Sequence, residues 1–247
     1  MSAACRLIVN ADDFGQSPGV NRGVLQGHDE GIVASASLMV RWPAAADAAL
    51  AVRSRPRLSL GLHVDLGEWR FEEGQWVPVY GVVSLDDADA IRSEIHQQLE
   101  TFRRFVGYDP THIDSHQHVH RREPARSVFA TLARELGVPL RHFARNVRYC
   151  GDFYGQDERG ATAAKVLSTE HLITILESLP PGVTELACHP ASVADLPTMY
   201  SHERLMELAV LCDERVKQTI ASLGIELCSF HDVSGEPVER SRVGGIP

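Results

Sequence analysis

No CxxC pair links any of the five cysteines, Cys5, Cys150, Cys188, Cys212 and Cys228. Their odd count and wide scatter argue against a disulfide framework and for reduced thiols in a cytoplasmic protein. Basic residues are also scarce, with 24 Lys and Arg against 33 Asp and Glu and a net charge of -9. That balance disfavours a nucleic-acid surface or a polybasic membrane attachment and favours a neutral or cationic small molecule. Long apolar runs are missing too. After Arg6 the amino terminus offers only Leu7-Ile8-Val9, which is no signal peptide, and nothing approaches the ~18 apolar residues of a membrane span. There is no Walker loop, and neither Ser115 nor Ser192 sits in a GxSxG elbow. No linker rich in Pro, Ser or charge divides the chain, so residues 1–247 read as one domain.

What the sequence does contain is a regular alternation of apolar strands with amphipathic helices. Strands are expected at 6–10, 34–40, 58–66, 111–115, 138–143, 183–188 and 225–230. Helices are expected from Ser17-Pro18 to Gly31 and over 44–53, 87–106, 124–136, 169–178 and 202–222. Ser17 can cap free amides, Pro18 suits a first helical turn, and Ile91, Ile95, Leu99, Phe102 and Phe105 form one apolar stripe. Strands that alternate with helices imply an α/β fold with a parallel sheet. No glycine-rich phosphate loop follows the first strand, and polar clusters follow several strands. A (β/α) barrel, closed or incomplete and seven-stranded, therefore fits better than an open doubly wound sheet. Residues 67–86 and 145–165 fall outside the alternation and read as long loops. The first carries Trp69 and Trp76, whose rings suit a sugar face; pinning the loop to the body or forming a homodimer interface are the other readings.

The chemistry concentrates in three clusters: Asp12-Asp13 in Asn10-Ala-Asp-Asp-Phe-Gly15, His63 in Gly61-Leu-His63, and His112-Ile-Asp-Ser-His-Gln-His-Val-His120. Adjacent carboxylates repel unless a cation intervenes, so one can hold a metal while the other stays ionised as a base. Two separated histidines would complete a metal site, with His116, just past the apolar end of its strand, placed to reach the mouth of a barrel. His112 reads as structural, Asp114 as an acceptor that orients an imidazole, and His118 and His120 as outer or substrate contacts. His189, between Cys188 and Pro190, can protonate a leaving amine from the side opposite Asp12, or serve only as a turn residue. Arg141 can hold a carboxylate, or make a surface ion pair.

These motifs, in this order, resemble the YdjC family of carbohydrate deacetylases, which includes chito-oligosaccharide deacetylases; the resemblance runs from Arg6 to about Val233. It implies a polysaccharide-deacetylase-like barrel and one divalent metal. Asp13, His63 and His116 are the implied ligands, Asp12 the implied base and His189 the family's late histidine. The expected activity is removal of N-linked acetyl groups from an acetylated amino sugar with release of acetate. The resemblance points to magnesium, whereas two imidazoles and a carboxylate favour zinc, cobalt or nickel. A metal-dependent phosphoesterase on the same barrel and a non-catalytic sugar or metal binder are the alternatives.

Overall fold

The computed structural model of the chain describes residues 4–157 and 159–233. In chain order the elements are β1 (Cys5–Phe14), α1 (Pro18–Asp29), β2 (Ser35–Leu38), α2 (Ala45–Val52), β3 (Ser59–Val64), β4 (Gly67–Glu72) and β5 (Gln75–Gly81). They continue with α3 (Ala88–Val106), β6 (Ile113–Ser115), α4 (Ala125–Leu136), β7 (Val147–Cys150), α5 (Thr169–Glu177) and β8 (Gly182–Cys188). Last come α6 (His202–Leu211), α7 (Glu214–Ser222) and β9 (Glu226–Leu227). Capping chemistry sets the boundaries. Ser17 accepts from the Val20 amide and Pro18 opens α1. Asp87 caps α3 at one end, and left-handed Gly107 ends it at the other.

Seven parallel strands form one sheet in the order β6-β3-β2-β1-β8-β7, with β9 alongside the start of β1. The sheet is a curled half-barrel with helices packed against it. Its two outer strands, β6 and β7, do not pair with each other among the described residues, and β6 gains only an isolated bridge from Ile113 to Leu140, ahead of β7, so the incomplete barrel is the form adopted. β1 lies in the middle and is buried from Leu7 onward. Such a strand reads as a continuous apolar run because both faces are covered. The main core of Leu, Ile, Val, Ala and Phe runs from Leu7 to Ile225, and a small second cluster joins Ile8, Val147, Cys228 and Phe230. No helix among the described residues is long and apolar enough to cross a membrane.

Several boundaries differ from expectation, each for a local reason. The segment 138–143 is not a strand. Arg141 donates its amide to Ile113, and then His142 turns left-handed (φ 67°) and ends the extension. The ladder is made instead by β7, inside the stretch expected to be a loop. Residues 67–86 hold a β-hairpin, β4–β5, closed by Glu73 and Gly74, both at positive φ, as a two-residue turn requires. The helix expected over 202–222 is two, because Asp213 caps a new start at α7 by accepting from the Arg215 amide. The last strand shrinks to two residues, since Ser229 and Asp232 form a capping box that begins a short 3₁₀ turn.

Candidate active site

Neighbouring residues of a regular strand point to opposite faces, so Asp12 and Asp13 could not both face one cavity from an unbroken β1. The strand solves this with a bulge. Its pairing with β2 slips between Ala11 and Phe14, and Asp13 adopts a left-handed backbone (φ 62°). Both acids lie within β1, rather than beyond its end, and both line the cavity.

Sheet register delivers the histidines to the same place. His63 on β3 is level with Asp114 on β6, and His116 follows directly after β6. Asp13 Oδ1 stands 3.3 Å from His63 Nε2 and 3.1 Å from His116 Nδ1. Donors ~2.0–2.1 Å from a shared ion lie about 2.9–3.4 Å apart at octahedral or tetrahedral angles, so the spacing fits a small divalent cation of either preference. Electrostatics agrees. Burial alone would push the His63 imidazolium down, but the carboxylates of Asp114, Asp13 and Asp12 hold it up at about 10. The carboxylates around this ring favour positive charge there. Asp114 Oδ1 takes the other His63 nitrogen at 2.7 Å, the arrangement that fixes a ligand ring's tautomer.

Arg141 is only 3 % exposed, which overturns the surface-pair reading. Its guanidinium holds Asp12 bidentately at 2.6 and 2.7 Å, Asp114 Oδ2 at 2.8 Å and Glu185 Oε1 at 2.7 Å. Burial works against the ionised Asp12, but the charge and hydrogen bonds of Arg141, with help from His63, together hold the carboxyl below its ordinary range. Glu185 goes the other way: burial wins over Arg141 and raises it to about 7. Asp13 is likewise opposed by burial, yet Arg204 and His116 keep it well below the usual value. Arg204 Nη2 reaches Asp13 Oδ2 at 2.6 Å.

His189 was expected opposite Asp12, and the structure places it beside Asp12. β1 and β8 are adjacent and parallel with Ala11 level with Cys188, so the next residue on each strand stands abreast. His189 Nε2 is 3.7 Å from Asp12 Oδ2. On its far side, Nδ1 is 3.8 Å from Glu207 Oε1, and the His189 amide donates to Glu207 Oε2. Burial disfavours the imidazolium, but Glu207 outweighs it and raises the His189 pKa. The Tyr200 hydroxyl donates to the same Glu207.

Asp12, Asp13, His63, His116, His189 and Arg204 line a cavity of about 340 Å³, together with Glu68, Gln117, His118, Tyr149, Tyr154, Gln156, Met199 and Tyr200. Trp69 and Trp76 are not among the lining residues. Trp69 packs against the core, and its backbone is held by the Gln117 side chain; Trp76, paired with Phe71 across the hairpin, is 48 % exposed. The aromatic wall is Tyr154 stacked on Tyr200, with ring centroids 4.6 Å apart. His118 and His120 do not join the Asp13 trio; His118 bonds to Tyr149 and His120 to Ser115. Buried His112 bonds to Ser37 and stacks on Phe230 at 3.8 Å, and its contact with Gly61 leaves no room for a Cβ there.

Sequence reasoning missed Arg204, Glu207, Glu185 and Tyr200. The first two carried a usable signal. Arg204, Glu207, Leu208 and Leu211 fall on one buried face of α6, and charge on such a face asks for buried partners.

One family model, described as YdjC-like protein, matches residues 6–222. The chain belongs to the YdjC-like family. Among curated relatives, a carbohydrate deacetylase of Geobacillus stearothermophilus is 35% identical, covering 91% of this chain and 96% of its own length. A chitooligosaccharide deacetylase of Serratia marcescens is 32% identical, covering 92% and 98%. A solved protein of Enterococcus faecalis V583, provisionally assigned to cellobiose-phosphate cleavage, superposes with a TM-score of 0.73 at 25% identity over 94% of this chain and all of its own. A family 4 carbohydrate esterase from Streptomyces lividans has a TM-score of 0.54 at 18% identity over 96% and 98%, a likeness of fold. The half-barrel of this YdjC-like chain is thus a fold that both solved proteins share.

Proposed function

We propose that this YdjC-like protein is a divalent-metal-dependent hydrolase that removes the N-linked acetyl group of an amino sugar or chito-oligosaccharide-like substrate, acting in the cytoplasm as a single catalytic domain. The observation that carries this reading is the meeting of two sets of groups in one cavity. Asp13, His63 and His116 converge on one point, while Asp12 and His189 stand 3.7 Å apart beside it. The deacetylase names of the curated relatives support the reaction class.

A cation held by Asp13, His63 and His116 would polarise the acetamide oxygen and make a water molecule more acidic. Asp12, ionised and fixed in one plane by Arg141, takes the proton of the attacking water as its oxygen bonds to the acyl carbon. His189, whose protonated form Glu207 favours, gives its proton to the sugar nitrogen as the C–N bond breaks, yielding acetate and a free amine. Asp114 orients His63, and Arg204 fixes Asp13. The stacked Tyr154 and Tyr200 offer an apolar wall to a sugar ring, and Glu68, Gln117 and Gln156 offer hydrogen bonds to hydroxyls. At about 340 Å³ the cavity lies near the small end of ligand pockets and suits a short substrate. A phosphoesterase would want cationic phosphate contacts. Arg204 is the one lysine or arginine among the described lining residues, and Asp13 already engages it.

The test is acetate release from N-acetylated glucosamine and its short oligomers, with metal-stripped protein resupplied with magnesium, zinc or cobalt. Metal-dependent acetate release is expected, and phosphate release from phosphosugars without acetate release would overturn the reading. His189→Ala should slow the amide substrate by about 10²–10⁴-fold and an activated acetyl ester far less, because an ester's leaving group needs no proton. Equal slowing of both would remove His189 from proton donation.

Glu207→Gln gives a pH test of the same residue. Glu207 raises the His189 pKa, and an acid must be protonated to act, so kcat/KM falls as pH rises through that pKa. Replacing Glu207 lowers the pKa, and the alkaline limb of the pH profile should move to lower pH while the acid limb stays in place. An unmoved alkaline limb would assign that limb to another group.

A further inference from the structure

At the edge of the catalytic cavity, which His118 helps to line, three more histidines meet. His118, His120 and His142 each offer a ring nitrogen, and these nitrogens lie within 4.8 Å of one another. The rings contact one another at centroid distances of 5.1–5.9 Å. Each ring also keeps one buried nitrogen with no hydrogen-bond partner: Nδ1 of His118, Nε2 of His120 and Nε2 of His142. Three such orphans in one cluster are costly, because a buried polar atom without a partner forfeits its hydration. The opposite nitrogens of two rings are already held, His118 Nε2 by the Tyr149 hydroxyl at 3.2 Å and His120 Nδ1 by Ser115 Oγ at 2.6 Å. With each hydroxyl accepting the ring N–H, the remaining nitrogen is left free to bind a metal.

The backbone is arranged for the same end. His118 and His142 both adopt left-handed conformations, with φ of 54° and 67°, that bring their turns together. Residues in such conformations cluster at functional sites, where the surroundings hold them in place.

We infer that His118, His120 and His142 form a second metal site, distinct from Asp13, His63 and His116, that takes a divalent transition cation such as Zn²⁺ or Co²⁺. Three imidazoles without a carboxylate select against Mg²⁺, which prefers oxygen donors and keeps its waters. The nearby Arg141 charge is met by Asp12, Asp114 and Glu185, which lessens its repulsion of a cation. The two clusters share no residue, so this is not the bridged pair, ~3.5–4 Å apart, of two-metal phosphoesterases. The cation would tie the turn that carries His116 to the turn that carries Arg141.

The full-length protein, stripped with a chelator, would be titrated with Zn²⁺ and with Co²⁺ and its bound metal counted after dialysis. Two equivalents are expected for the wild type, and one for both His142→Ala and Asp13→Asn. The d–d absorption of Co²⁺ in the two variants should differ, since a different site is left in each. Mg²⁺ should supply no second equivalent. A wild type that saturates at one equivalent, or a His142→Ala protein that retains two, would overturn the site. Should His142→Ala fail to fold by circular dichroism, the wild type alone decides: with ¹⁵N-histidine label, the second equivalent must shift the His118, His120 and His142 ring signals together. Because metal counting needs no turnover, a failed deacetylase assay would leave this result intact.

Discussion

Asp12→Asn is expected to reduce turnover by about 10²–10⁴-fold, the usual worth of a general base, while the cation at Asp13, His63 and His116 stays bound. The asparagine keeps the shape of the side chain and one oxygen for Arg141, so the cavity should persist, but the amide cannot take a proton. Asp13→Asn should do the reverse. Asp13 Oδ1 lies within 3.3 Å of both ring nitrogens, and losing its charge leaves two neutral imidazoles facing the cation. Metal analysis of the two variants beside steady-state kinetics checks the division. Equal metal loss from both would place Asp12 among the ligands; wild-type turnover in Asp12→Asn would move the base elsewhere.

Arg141→Met should destabilise the protein by about 3–5 kcal/mol, because removing one partner strands buried charges. For a chain of this size that lowers Tm by ~6–20 °C. Three carboxylates, those of Asp12, Asp114 and Glu185, would be left without their cation. The pH dependence follows from Glu185, which is raised to about 7 even with Arg141 present. A carboxyl whose folded pKa lies above its unfolded value favours the folded state below the unfolded value and loses that contribution as pH rises through the folded one. Losing Arg141 pushes all three carboxyls the same way, so the deficit should be largest above pH 7 and smaller near pH 5. Urea denaturation at pH 5 and pH 8 measures it. A deficit independent of pH would assign the loss to packing of the long side chain instead. Arg141→Lys should fall between, since a point charge cannot reproduce the fork that holds Asp12.

The alternation of strands and helices was legible because each buried strand is a short apolar run and each helix has an apolar stripe. β7 was not legible: in Val147-Arg-Tyr-Cys150 the ladder is made by backbone, and the polar neighbours hide it. At the site, the acid pair and the histidines stood out as polar clusters among apolar runs, while the choice of Asp13, His63 and His116 as candidate ligands came from the family resemblance. The bulge that turns both acids inward leaves no mark in the residue pattern. Nor does the adjacency of Asp12 and His189, which depends on β8 lying next to β1. Strand order is a property of the sheet, and the two side chains stand 177 positions apart along the chain. The tryptophans misled for a similar reason: a hairpin decides which of its faces meets the cavity, and composition does not.

That strand order also has a bearing on how the protein is made. β2 can cover one edge of β1 almost as soon as it leaves the ribosome, but β8, which covers the other, begins only at Gly182. At ~5–20 residues per second, the intervening chain takes on the order of 10–30 s to synthesise. For that interval Leu7, Ile8 and Val9, in the strand that bears both acids, present an unpaired ladder edge, the kind of surface through which nascent chains join one another.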